Sequence, residues 1–433
     1  MFKQLAQIWN SKDLRNKILF TLGIILVVRL LAQITIPGAD TNVVKGIFAR
    51  NQLLGAFSLL TGGSAENFSI ILMGLSPYIN ASIIIQLLTV IIPRMENLSK
   101  EGEQGRRKIN QYTRWLSLPI AFIQSFGMIA LLNSQAGGAP IVPNITSPSV
   151  ILPVMLTITT GTVLMMWLGE LITEKGMGNG ISILIFTGII SNIPATIGQN
   201  LTLANQSTQL LIPFVIEILI TVILTIIVVL ISESERRVPI LYASRGVRGA
   251  AEKSNLPLKI NQAGMIPIIF SLSVVSFPGI IAQFMLNSNS ETLKSIANFI
   301  TTYFHVNSIA YSVFYFLLII AFTFFYVSIT FNPEEVADNI QKRGGYIPGI
   351  RPGKQTVKHL SDISNRLNLW GGLFIAFIAI SPNIIQTLTG AFSFGAVASI
   401  ISGAGMIIIV SVVLEIIRQI NAQLVMHDYN KLY

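Results

Sequence analysis

The sequence predicts an all-α polytopic membrane protein in which ten transmembrane helices form two inverted five-helix halves. Three observations predict it. Hydrophobic residues make up 52% of the 433 positions and charged residues only 11%, more apolar and less charged than a soluble core tolerates. Ten apolar stretches are each long enough to cross a hydrocarbon layer about 30 Å thick. Glycine and proline interrupt the second and the seventh stretch at corresponding places, Gly74-Leu-Ser-Pro77 and Gly264-Met-Ile-Pro267, and paired interruptions in two halves point to a central pathway. Five spans per half is an odd number, so the second half must be inverted relative to the first.

The chain opens on a charged amphipathic segment, Met1 to Lys17, with Phe2, Leu5, Ile8 and Trp9 as its apolar positions. No small-residue cleavage site follows the first span, so the segment is expected to be retained. Span one is expected at 18–36. A segment from Phe57 to Leu60, followed by a polar run from Thr61 to Asn67, is too short to span. Span two, 68–92, overfills the layer at about 1.5 Å per residue, and Gly74, Pro77 and Asn80 predict that it is broken. The remaining spans are expected at 115–132, 150–172, 181–197, 210–231, 262–284, 309–331, 369–388 and 394–417. A polar stretch from Ser191 to Thr208 is expected to link the halves, giving domains 1–204 and 205–433. Lys175-Gly-Met-Gly-Asn-Gly180 lacks the preceding strand of a phosphate loop and reads as a tight helical hairpin between spans four and five.

A net charge of +10 invites a nucleic-acid reading, but its distribution follows topology. With the amino terminus in the cytoplasm, every one of the 29 lysines and arginines except Arg29, Lys45, Arg50 and Lys294 lies on the cytoplasmic side. Both termini are therefore expected there. Large basic loops are expected at 232–259 and 332–368. The absence of cysteine excludes disulfides and thiolate chemistry. His305, His359 and His427 lack the paired spacing of a metal site, so no cofactor and no metal are expected. The spans carry no nucleophile and base set for an intramembrane hydrolase, and no enzyme is expected. An inverted-repeat secondary solute transporter would share the span count and broken helices. It would also place polar coordinating groups at the midplane, where this chain has isoleucines.

Five stretches carry a resemblance that covers nearly the whole length. Residues 74–88 (Gly-Leu-Ser-Pro-Tyr-Ile-Asn-Ala-Ser-Ile-Ile-Ile-Gln-Leu-Leu) and 167–182 (Trp-Leu-Gly-Glu-Leu-Ile-Thr-Glu-Lys-Gly-Met-Gly-Asn-Gly-Ile-Ser) resemble the two long signatures of the SecY family of protein-conducting channel subunits. Leu256-Pro-Leu-Lys-Ile-Asn261, Phe331-Asn-Pro-Glu-Glu-Val-Ala-Asp338 and Ile347-Pro-Gly-Ile-Arg-Pro-Gly353 match in the same order, while the stretch from Gly246 to Lys253 departs from the pattern.

The resemblance implies an hourglass channel in the bacterial plasma membrane that translocates unfolded secretory polypeptides and releases membrane segments laterally. It implies a waist of Ile79, Ile83, Ile181, Ile185, Ile269 and Ile408. The spacing is compatible, because Ile79 with Ile83 and Ile181 with Ile185 stand at i and i+4 on one helix face. It implies a short plug helix at about 57–73, with Phe57, Leu60, Gly62, Gly63, Phe68 and Ile71 as its packing and folding-back positions and Glu66 and Asn67 facing water. It implies a lateral gate between spans two and seven, with Gln86, Gln124 and Asn261 setting the opening bias. Implied partners are small SecE and SecG type membrane subunits, the SecA motor, the ribosome with its nascent chain, and the lipid bilayer. Arg351, held in a proline- and glycine-rich turn, and Arg236, Arg237, Arg245 and Arg248 would form the cytoplasmic docking surface.

Overall fold

The computed structural model describes residues 11–37, 41–50, 61, 63–136, 141–142, 147–206, 208–242, 252–286, 290–305, 308–390 and 401–430. Helices stand at all ten predicted places. The first is α1 (Lys12–Gln33), followed by a short α2 (Thr41–Arg50). Span two is α3 (Ser76–Ile91), bent by 102° into α4 (Pro93–Lys100), because Pro93 ends the run after an extended Ile92. Then come α5 (Glu103–Gln135), α6 (Pro148–Lys175), α7 (Gly180–Gln206) and α8 (Thr208–Glu233). Strands β1 (Glu235–Tyr242) and β2 (Glu252–Lys259) precede α9 (Ile266–Leu286), α10 (Glu291–Tyr303) and α11 (Ile309–Thr330). The chain continues through α12 (Pro333–Lys342), β3 (Gly345–Tyr346), α13 (Lys354–Gly390) and α14 (Gly403–Asn430). Among the described residues, seven helices are individually long and apolar enough to cross a membrane, and the bent α3–α4 pair makes an eighth. The other two predicted spans are α1 and α9.

Helices α1, α3, α5, α6 and α7 precede residue 207 and helices α8, α9, α11, α13 and α14 follow it, making two sets of five. The principal contacts between the sets lie at two places: α7 against α8 and α14, and α3 against α9. The two sets thus meet along two seams. The two members of the second seam begin alike. Gly74 and Gly264 both adopt left-handed backbone, at φ 50° and 65°, two residues before helices in which Pro77 and Pro267 are the second residue. Glycine alone adopts that conformation without steric cost, and proline suits a first turn whose N–H has no partner anyway.

Several expectations need correction. The predicted first third of span two, 68–75, is a series of turns and not a helix. Its backbone is satisfied from outside: Ile36 N–H donates to the Phe68 carbonyl at 3.0 Å and Ile70 N–H to that of Ile34 at 3.0 Å. The stretch expected as a polar linker is the continuation of α7. Thr196 Oγ1 bonds back to the Asn192 carbonyl at 3.0 Å, and Ile193 and Ala204 pack against Phe214 of α8. The described part of the loop expected at 232–259 is an antiparallel hairpin, registered Glu235↔Lys259 through Tyr242↔Glu252, with β3 joining β1 at Leu241↔Tyr346. About two thirds of the loop expected at 332–368 is helical too. Asn332 Oδ1 caps α12 by accepting from the Glu334 N–H at 3.0 Å, and 354–368 is the polar extension of α13. Val238, Ile240, Leu258, Ala337, Ile340, Ile347 and Leu360 give this region its own small core. Helix α14 begins later than the span expected from 394, and residues 391–400 lie outside the described residues.

Candidate functional site

The six isoleucines predicted to form the waist come from four helices, and the structure brings them into one apolar cluster. Ile79 and Ile83 come from α3, Ile185 from α7, Ile269 from α9 and Ile408 from α14, with exposures of 4, 6, 3, 5 and 2%. Ile181, one turn before Ile185 on α7, is half-buried and packs against the same cluster. Branched side chains from facing helices leave water no hydrogen-bonding partner in the constriction. An amide forced into such a site unpaired loses roughly 2–7 kcal/mol, and an ion far more. Sequence reasoning missed the collar around the six: Ile24 and Val28 from α1, Leu75, Met165 and Leu168 from α6, Ile189, and Val412. In an apolar chain nothing local separates those positions from lipid contacts.

Beneath the cluster lies the chain of turns from Gly63 to Leu75. Ile71 belongs to the isoleucine cluster, whereas Phe68 and Leu72 point into a second core built on α2, α5 and α6. Phe68 is fully buried and has φ 46°, unusual for a bulky residue and worth roughly 1–3 kcal/mol of strain. Burial of its ring and the bridge to Ile36 hold it there. Ser64 Oγ lies 2.8 Å from the Thr61 carbonyl and 2.9 Å from that of Ile71, closing the turns on themselves. Helix α6 approaches through Gly161, where a Cβ would stand 2.0 Å from the Ile70 carbonyl oxygen. Glu66 and Asn67, expected to face water, are half-buried, and Asn67 Nδ2 reaches the Ala32 carbonyl at 3.4 Å. Phe57, Leu60 and Gly62 lie outside the described residues. Gly63 has φ 79°, as folding back requires.

On the side of the β-sheet, a hollow of about 490 Å³ opens over the start of α9. Its wall is mixed, with Asn179, Ser182, Lys259, Asn261 and Arg418 beside the apolar Met265, Ile266 and Leu414. Partial burial lowers the Lys259 pKa below the ordinary lysine value, with the nearby Arg418 charge adding to the shift. Arg418 is ion-paired with Glu233, which ties α14 to the end of α8.

The structure does not join the three gate amides by hydrogen bonds. Gln86 Nε2 donates to Ser82 Oγ one turn earlier on α3 at 3.2 Å, and its Oε1 is buried without a partner. Gln124 Oε1 on α5 is likewise unpartnered. Asn261 Oδ1 accepts from the Gly264 N–H at 2.9 Å, so it shapes the turn that starts α9. Of the basic positions, Arg236 and Arg351 are exposed on the small core around the β-sheet, and Arg237 pairs with Glu235 at 2.8 Å. The Arg351 carbonyl accepts from Thr356 Oγ1 at 3.1 Å, fixing the turn on the start of α13. Arg245 and Arg248 lie outside the described residues.

Comparison with known proteins agrees with this geometry. The fold resembles the solved structure of a protein-conducting channel (TM-score 0.65, 18% identity, 94% of this chain and 92% of that one). It resembles equally a SecY structure concerned with the plug domain (TM-score 0.67, 20% identity, the same coverage). The protein translocase subunit SecY of Bacillus licheniformis is 40% identical over 99% of both chains, and that of Corynebacterium glutamicum is 39% identical over 99% of both. The SecY family profile matches residues 69–417, from the bridge under the isoleucine cluster to the middle of α14. The chain belongs to the SecY family.

Proposed function

We propose that this chain is the pore-forming subunit of a bacterial plasma-membrane channel that passes unfolded polypeptides through the six-isoleucine waist. The carrying observation is that isoleucines from four helices, far apart in sequence, share one water-excluding cluster with a partly polar hollow on one side and a folded-back segment on the other. Aliphatic side chains seal because they offer ions no ligands, and they yield to a passing chain because rotamer shifts are their only resistance. The segment around Ile71 acts as the plug, leaving its place when a polypeptide enters. Lateral release follows the seam where α3 meets α9, since parting there leaves the α7–α8–α14 seam intact.

In this reading both termini are cytoplasmic, and the two halves 1–204 and 205–433 work as jaws. Arg351 and Arg236 offer guanidinium groups to carboxylates of a SecA motor or phosphates of ribosomal RNA. A related fold has been seen as Sec61 in a canine ribosome–channel complex, which favours a ribosome among the partners, alongside SecE and SecG type subunits. The test is site-specific crosslinking of a stalled secretory chain from positions 79, 83 and 269. Adducts at these positions, and none at the lipid-facing Leu219, are expected. Absence of adducts at all three would overturn the pore assignment.

A further inference from the structure

The chain between α9 and α11 reads in the sequence as a polar connection, yet it forms the helix α10, and three arcs of that helix meet three different surroundings. Ala297 is fully buried where α10 packs on α9. With 3.6 residues per turn, Leu293, Ile296, Phe299 and Tyr303 fall on the neighbouring arc, and they are 39, 50, 63 and 60% exposed. Glu291, Lys294, Ser295, Asn298 and Thr302 fill the remaining arc and are exposed as well. A helix that buries one alanine and presents four large apolar side chains beside a polar face has the pattern of an interfacial helix.

What covers the stripe follows from its neighbours. It is continuous with the lipid-facing surfaces of the two spans it connects: Ile281 of α9 is 52% exposed, and Ile309, Val313 and Leu317 of α11 are 79, 51 and 57% exposed. Aromatic rings gather at the same level. Phe299 and Tyr303 lie 4.8 Å apart, and Phe304 lies 5.6 Å from both Tyr311 and Phe314. Rings of this kind are enriched where a span meets the headgroup layer. We propose that α10 lies in the membrane–water boundary on the face opposite the β-sheet. Its Leu293–Ile296–Phe299–Tyr303 stripe is seated in lipid, and its contact through Ala297 holds that end of α9 at boundary depth.

The chain has no cysteine, so single cysteines can be introduced into the full-length protein without removing any. Nitroxide labels on Leu293→Cys, Ile296→Cys and Phe299→Cys are compared with labels on Lys294→Cys and Thr302→Cys, in liposomes of phosphatidylethanolamine and phosphatidylglycerol. Ile281→Cys is the lipid-facing reference. Collision with dissolved oxygen should exceed collision with a water-soluble nickel chelate several-fold at 293, 296 and 299, as at 281, and the ratio should invert at 294 and 302. Chelate access at every position would place the helix in water and overturn the proposal. Protection of 296 and 299 from both reagents would mean protein covers the stripe, which overturns it equally.

Discussion

At the scale of single residues, the waist depends on side chains that lack polar atoms, and the segment beneath it depends on one that is absent. Gly161 lets the backbone of α6 touch the backbone at Ile70, and even a methyl group there would overlap the Ile70 carbonyl oxygen at 2.0 Å. Overpacking of this kind costs about 1–3 kcal/mol, and the turns, which lack the continuous backbone ladder of a helix, are the part that yields. Gly161→Ala should therefore lower the unfolding temperature in detergent and raise ion leak in planar bilayers. A wild-type conductance would mean that the turns do not seal. Gly161 was not legible in the sequence, because the chain has 33 glycines and only the fold shows which of them face a neighbouring backbone. The isoleucine pairs on α3 and α7 were legible as pairs on one face. That they meet Ile269 and Ile408 required the packing of four helices.

At the scale of elements, the paired Gly-x-x-Pro stretches do something other than break helices in their middles. In both halves they stop an irregular segment and start a helix, with the left-handed glycine two residues ahead of it. Asn261 belongs to this start, since its Oδ1 accepts the Gly264 N–H. If Asn261 sets the opening bias by shaping the turn before α9, Asn261→Asp keeps the acceptor and should retain normal signal-sequence stringency. Asn261→Leu loses it, with a cost of about 0.5–2 kcal/mol typical of a lost side-chain cap, and should admit defective signal sequences. Export assays with a weakened signal sequence separate the two variants. Equal stringency in both would remove Asn261 from the gate. The basic loops were legible as positions of charge but not as a hairpin and a helical extension. Apolar residues such as Val238, Ile240 and Leu360 are too few there to show a pattern until they pack together.

At the scale of the whole molecule, the two halves of the chain meet along two seams, and the proposed channel would open in two directions, axially through the waist and laterally along one seam. One seam lies between α7 and the pair α8 and α14, and the other between α3 and α9 beside the waist. In the proposed mechanism, displacing the plug would open the axial path and leave both seams in contact. Deletion of residues 57–67 should therefore leave the protein folded, with a modest change in thermal stability, while single-channel recording shows raised ion conductance. Unchanged conductance would count against the plug. By itself the sequence determined the membrane class, the places of ten helices and the gathering of basic residues in a few loops. Those follow from local length, apolarity and the cost of carrying charge through lipid. It also carried the motifs of the family, and with them the six isoleucines proposed for the waist. Only the tertiary structure decided that 68–75 is a bridged chain of turns and that α10 exposes an apolar stripe. It alone decided that five of the six isoleucines are buried in one cluster, with Ile181 packed against it. In lipid an apolar side chain gains little by being buried, so apolarity cannot tell a helix's lipid face from its protein face. Shape complementarity between helices settles that, and it exists only once they are packed.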